Sequence, residues 1–209
     1  MLYLDQGQDQ AKSPDNSSQV VSLVEKAKAG SRPAFEQLVG IFQEDIFRMV
    51  YYRTRSRMDA EDLTQEIFMQ ALKNLSKLKR NEVFRPWLFS IALNRVRDFH
   101  RKKRVISFFR ASAQEEEFDQ SDMATHGRPG ALDHLMRQEF WKQVGLFLDR
   151  LSRLEREVFQ LRFMDYLSIR EISQVLNRNE STVKTHLYRA IQKFRKEPAM
   201  LQLLQEEAP

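Results

Sequence analysis

Residues 168–192 read SIREISQVLNRNESTVKTHLYRAIQ, two short helical patterns with a polar break between them. In the first, Ile169, Ile172, Val175 and Leu176 recur at the three-to-four spacing that gathers them on one helix face. Ser168 can cap that helix, with Glu171 three residues on as its reciprocal partner. The break Asn177-Arg178-Asn179 supplies a turn, because asparagine tolerates the left-handed backbone. The second pattern starts at Glu180 or Ser181, and Val183, Leu187 and Ile191 face inward at four-residue steps. Thr182, Lys184, Thr185, Tyr188 and Arg189 are left on the outer face. This predicts a helix-turn-helix whose second helix lies in a major groove. Lysine and arginine suit guanine edges and phosphates, and threonine suits polar edges and thymine methyls. A helical hairpin with an ordinary solvated face is the competing reading of the same letters.

Upstream, Phe140, Val144, Phe147, Leu148 and Leu151 form one helical stripe, followed by Leu154, Val158, Leu161 and Phe163. A helical domain over residues 132–197 is expected, with 198–209 as a C-terminal tail. Before it, ISFFRASAQEEEFDQSDMATHGRPGA mixes an acidic block with Gly127, Pro129 and Gly130 and has no sustained period. Residues 105–131 therefore read as a flexible acidic linker.

The N-terminal half is helical too. Val20, Val21, Leu23, Val24 and Ala27 crowd one side of a first helix that Gly30 stops. Ser31 can cap a second helix, with Pro33 in its first turn. Phe35, Leu38, Val39, Phe42, Ile46, Phe47 and Val50 give that helix its apolar face. Asp59 is the expected cap of a third helix, whose inner stripe reads Leu63, Ile67, Ala71, Leu72 and Leu75. SKLKRNEV then makes a basic loop, and a fourth helix starts near Phe84, apolar early and basic late. The fold class expected is all-α: residues 1–18 a mobile tail, 19–104 one helical domain, and the helix-turn-helix domain beyond the linker.

Composition bounds the function. Of 209 residues, 42% are hydrophobic and 30% charged, which fits a globular chain. Lys and Arg number 34 against 29 acids, a net charge of +5 that suits a polyanionic partner. The absence of cysteine excludes disulfides and thiolate metal sites and fits a reducing compartment. MLYLDQGQDQAKSPDNSSQ has no basic start followed by an apolar run, so the expected location is the cytoplasm.

Two stretches carry a family resemblance. DAEDLTQEIFMQALKNL (59–75) followed by FRPWLFSIALNRVRDFHRKKR (84–104) resembles the promoter-melting domain of bacterial sigma factors. LSRLEREVFQLRFMDYLSIREISQVLNRNESTVKTHLYRA (151–190) resembles the second domain of the compact extracytoplasmic-function class. Together they span about residues 20–104 and 132–196, in the expected order. The resemblance implies an alternative sigma factor that directs RNA polymerase to promoters and opens the DNA strands. It places core-polymerase binding on Asp62, Gln65 and Glu66. It places −10 DNA recognition on Asn94, Arg97, Arg101 and Lys102, with Lys79, Arg80 and Asn81 in the preceding loop. The −35 element falls to Thr182, Lys184, Thr185, Tyr188 and Arg189. Implied partners are core RNA polymerase, promoter DNA and an anti-sigma factor; no cofactor, metal or small-molecule substrate is implied. Relatives often carry a Gly-Asp or Gly-Asn turn in the −10 loop, where this chain has Asn81 and Glu82.

The chemistry of these residues fits those roles. The amide of Asn94 donates and accepts together, as reading a single extruded base edge requires. Arg97, Arg101, Lys102, Lys103 and Arg104 suit phosphates. Arg95 precedes the dense run and has an alternative, pairing with an acid of its own domain. Phe84 and Trp87 have the faces to stack on unpaired bases, but their spacing favours the core. EEEFDQSD in the linker either mimics nucleic acid or simply solubilises the chain.

Two other classes are weighed. A stand-alone helix-turn-helix regulator would bind duplex DNA tightly without polymerase, and the second basic face at 94–104 argues against it. An enzyme would need a site, yet His100, His126, His134 and His186 fall in no catalytic motif. Asp59, Glu61, Asp62 and Glu66 lack a histidine or further carboxylate at ligand spacing.

Overall fold

The structure, a computed structural model, describes residues 14–110 and 131–197, with side chains at 18–106 and 140–197. Every regular element among the described residues is helical: α1 (Pro14–Lys28), α2 (Arg32–Thr54), α3 (Arg57–Asn74), α4 (Phe84–Arg110), α5 (Ala131–Arg150), α6 (Arg153–Phe163), α7 (Ile169–Leu176) and α8 (Glu180–Phe194). Short 3-10 turns at Leu75–Lys77 and Asn81–Val83 join α3 to α4. The helices before residue 111 and those after 130 belong to two separate compact units. The bulk of the expected linker (111–130), the start of the N-terminal tail (1–13) and the C-terminal tail (198–209) lie outside the described residues.

In the first unit α2 packs against α1, α3 and α4. Its apolar period supplies Leu38, Phe42, Ile46, Met49 and Val50, all fully buried or nearly so. Ala60, Ile67 and Ala71 of α3 and Phe84, Leu88, Phe89 and Ala92 of α4 close on them. Each buried Leu, Ile or Phe contributes about 1.5–3 kcal/mol, so this layer holds the unit together. Phe84 meets Phe42 at 5.5 Å between ring centroids, which makes it a core residue. Trp87, half-buried, lies 5.8 Å from Phe84.

The helix ends follow from local chemistry. Gly30, at φ +96, closes α1. Its N–H reaches the Ala27 carbonyl while Ser31 N–H reaches that of Lys26, the paired bonds of a glycine-terminated helix. Ser31 then caps α2 through the Ala34 N–H.

Four expectations are corrected. Ser56, not Asp59, caps α3, and its hydroxyl accepts from the Asp59 N–H. Arg55 takes the left-handed conformation (φ 58) just before it, so two residues suffice to turn the chain. Leu72 of the expected inner stripe is 52% exposed, and Phe68 is buried in its stead. Helix α1 begins at Pro14, inside the expected tail, since proline at the first position lacks an N–H that would go unbonded there anyway. Helix α4 runs on to Arg110, past 104, because nothing in VISFFR breaks a helix already propagating.

The second unit centres on Val144, Phe147, Leu148, Leu151 and Ala190, with Phe159 and Phe194 against them. Phe147 meets Phe159 and Phe194 edge-on at 5.1 and 5.4 Å. Phe163, expected inside, is 41% exposed. Ser152 and Glu155 form a full capping box at the start of α6.

Candidate nucleic-acid interface

The helix-turn-helix assembles as its residues dictate. Ser168 Oγ accepts from Glu171 N–H at 3.3 Å, and Glu171 Oε2 accepts from Ser168 N–H at 2.9 Å. Helix α7 buries Ile172 and Val175, with Ile169 and Leu176 half-buried. Asn177 adopts φ 50, and Arg178 N–H bonds the Ser173 carbonyl at 2.9 Å to end the helix. Asn179 then caps α8 by accepting from Thr182 N–H at 2.8 Å.

On α8, Val183 and Ala190 are buried while Leu187 and Ile191 are only half-buried. The inner face is thus turned slightly from the four-residue series expected, because Ala190 packs into the cluster of Val144, Phe147 and Leu148 from α5 and Leu151 just beyond it. Lys184, Thr185, Tyr188 and Arg189 are all exposed, one and four residues apart on a single outward stripe. Tyr188 has 64% of its surface free. Thr185 Oγ1 donates to the Ser181 carbonyl at 2.9 Å, so its outward side offers a methyl and lone pairs. Thr182 is half-buried at the margin. The turn preceding α7 holds Tyr166 at φ 54 and 71% exposed, a bulky residue in a conformation that the sequence reading did not anticipate.

In the first unit the predicted residues fall on two surfaces. Asn94 is exposed on α4, and its Oδ1 accepts from Arg97 Nη1 at 3.2 Å. Arg101 pairs with Asp98 at 3.0 Å, and Lys102, Lys103 and Arg104 are exposed beyond it. His100 stands within this run, half-buried. Burial pushes its imidazole below the ordinary histidine value, the Arg53 backbone pulls the other way, and Arg104 and Lys103 add to the depression. It is therefore neutral at pH 7 and adds no charge to the basic surface. In the loop, Lys79 and Arg80 are exposed, with Arg80 Nε 3.7 Å from Glu82. Asn81 opens a 3-10 turn, and its Oδ1 accepts from Lys28 Nζ at 3.1 Å.

Arg95 turns inward to its own domain. It donates to Gln70 Oε1 and lies 3.9 Å from Glu66. The second surface is the outer face of α3, where Asp62, Gln65 and Glu66 are exposed. Met58, Met69 and Leu72 share this stripe at three-to-four spacing and are 71%, 55% and 52% exposed. The sequence reading missed the two methionines, although a periodic apolar signal displaced from the core stripe would have found them. Among the described residues no cluster of His, Asp or Glu has the arrangement of a metal site. No described helix is long and apolar enough to cross a membrane.

Comparison with known proteins accounts for both units. The model of sigma-70 region 2 matches residues 38–105, and that of sigma-70 region 4 matches 142–194. The chain is 32% identical over 178 residues to the ECF RNA polymerase sigma factor BldN of Streptomyces coelicolor, covering 84% of this chain and 64% of BldN. It is 29% identical to the ECF RNA polymerase sigma factor SigW of Bacillus subtilis, over 83% of this chain and 94% of SigW. Its fold resembles that of the sigma factor RpoE solved in complex with the anti-sigma factor NepR from Bartonella quintana. That likeness has a TM-score of 0.60 at 20% identity and covers 83% of this chain and 98% of that one. With both regions matched in order along one chain, the protein belongs to the extracytoplasmic-function group of the sigma-70 family, the initiation factors that direct RNA polymerase to promoters.

Proposed function

We propose that residues 19–104 bind core polymerase and melt the −10 element while residues 132–197 hold the −35 element. The N-terminal and C-terminal tails and the linker (105–131) take no base contact in this scheme. The observation that carries the reading is the pairing of two separate basic faces, on α4 and α8, with a mixed acidic and apolar stripe on α3. Asp62 and Glu66 supply negative charge for a basic helix of the polymerase, Gln65 adds a hydrogen-bonding amide, and Met58, Met69 and Leu72 supply the apolar contact that a stable interface needs at its centre. Asn94 and Asn81 receive a base unstacked from the −10 duplex, with Lys79, Arg80, Arg97, Arg101 and Lys102 on the flanking phosphates. Lys184, Thr185, Tyr188 and Arg189 read the −35 major groove, and Thr182 supports them from the edge.

The chain carries no catalysis in this reading: strand opening is driven by capture of the unpaired base, and phosphodiester chemistry stays with the polymerase. It works in the cytoplasm beside the polymerase, held until needed by an anti-sigma factor. The relative solved with NepR supports that last partner.

Run-off transcription with purified core polymerase tests the reading. Adding the chain should yield a promoter-specific start, and no such transcript from a genomic promoter library would overturn it. Replacing Asp62 and Glu66 together with alanine should weaken capture of core polymerase by about tenfold or more. Replacing Lys184 and Arg189 should leave capture intact and cut transcript yield. A tight complex of the free chain with duplex DNA, without capture of polymerase, would instead favour a stand-alone regulator.

A further inference from the structure

Lys28 ends α1, a helix that contributes none of the residues assigned to DNA. Its side chain nevertheless crosses to the loop that precedes α4. The ammonium Nζ donates to the Leu78 carbonyl at 2.7 Å and to Asn81 Oδ1 at 3.1 Å. These two bonds tie α1 to the end of the first 3-10 turn, at Leu78, and to the start of the second, Asn81–Val83. The lysine does more than anchor. An ammonium has donors only, so of the two ends of the Asn81 amide just the oxygen can face it. The NH2 end is thereby turned away. Asn94 repeats the arrangement: its oxygen accepts from Arg97 Nη1 at 3.2 Å, and a guanidinium is likewise a pure donor.

We propose that Lys28 is a positioning residue for −10 recognition, which holds residues 78–81 in place and turns Asn81 so that its NH2 group meets the extruded base. The proposal rests on the reading that this loop and Asn94 receive that base. Two NH2 groups presented together read hydrogen-bond acceptors, carbonyl oxygens and bare ring nitrogens. A base edge that places an amino group against either one sets donor against donor and is rejected, since a desolvated donor is left unpaired. The loop residues expected to contact DNA therefore owe part of their selectivity to a lysine about fifty positions upstream.

The test is a promoter library randomised across the −10 element, transcribed by core polymerase with the full chain. The readout is the ratio of bases recovered at each position. Lys28→Met removes both bonds at nearly unchanged length, and should flatten the preference at the captured position by about five- to tenfold. Lys28→Arg keeps the donors and should retain most of it. Asn81→Asp keeps an acceptor for Lys28 but presents a carboxylate oxygen, and should move the preference toward bases with an amino edge. Melting temperatures measured alongside separate a mere prop, which would lower stability without changing the ratio. Should Lys28→Met fail to fold, Asn81→Asp decides, and an unchanged preference in it overturns the proposal. If Lys28→Met keeps the wild-type ratio while Asn81→Ala flattens it, Lys28 has no positioning role and the −10 reading survives. If neither Asn81→Ala nor Asn94→Ala alters the ratio, the −10 reading itself fails.

Discussion

Glu155 shows how one residue holds an element in place. Its side chain is only 7% exposed, yet it remains a carboxylate. Burial alone would push its pKa up; the Lys193 ammonium at 2.6 Å and the Ser152 N–H at 2.9 Å outweigh that and hold it below the ordinary glutamate value. The folded state thus binds the proton more weakly than the unfolded chain, so this contribution to stability is present at neutral pH. It is lost as pH falls below the unfolded value of about 4.3 and through the folded one. Thermal melts of the chain should show the second unit weakening in that acid range. In Lys193→Met the strongest donor is gone, so the folded pKa rises toward the unfolded one and the loss of stability in acid should shrink. A stability profile identical to wild type would show that the Lys193 contact contributes nothing.

Helices α7 and α8 owe their geometry to caps. The reciprocal bonds of Ser168 and Glu171 start α7, the left-handed Asn177 ends it, and Asn179 starts α8 five residues before Lys184, the first of the outward stripe. Loss of a serine cap typically costs about 1 kcal/mol. Ser168→Ala should lower the unfolding free energy of the second unit by that amount, with a lower denaturation midpoint at unchanged slope, without altering base preference, because no base contact is assigned to Ser168. Chemical denaturation followed by circular dichroism checks the first half, and the promoter library checks the second. The Ser168–Glu171 box and the asparagine turn were legible in the letters, since they depend on residues close in sequence, whereas Asn179 was read only as part of that turn and not as the cap of α8. The cap of α3 was not legible either. Ser56 and Asp59 are both good capping residues, and the choice between them depends on Arg55 entering the left-handed region, which only the packing of α2 against α3 requires.

At the scale of the whole molecule, the proposed function divides promoter recognition between two DNA-binding faces and one polymerase-binding face. A reader tethered to polymerase gains effective concentration, so the α8 face needs only modest affinity of its own. The free chain should bind a promoter duplex at least about a hundredfold more weakly than the holoenzyme does. Both affinities should fall steeply with salt, and Lys184→Gln should reduce the magnitude of the holoenzyme's logarithmic salt slope by about one. Filter binding across a salt series measures this. Equal affinities for free chain and holoenzyme would refute tethering.

The sequence by itself determined that the protein is all-helical, that two helical regions flank an acidic stretch, and that the second contains a helix-turn-helix. Helical periodicity, glycine stops and capping residues act over a few neighbouring positions, so they can be read without a fold. The same locality made Lys184, Thr185, Tyr188 and Arg189 legible as an exposed stripe. Only the tertiary structure decided which side of α3 holds Leu72, that Ala190 rather than Ile191 is fully buried on α8, and that Arg95 faces Gln70 and Glu66. It alone brought Lys28 to Asn81, across 53 positions of chain. Such contacts depend on how helices pack against one another, and two residues that far apart carry no periodic signal that links them.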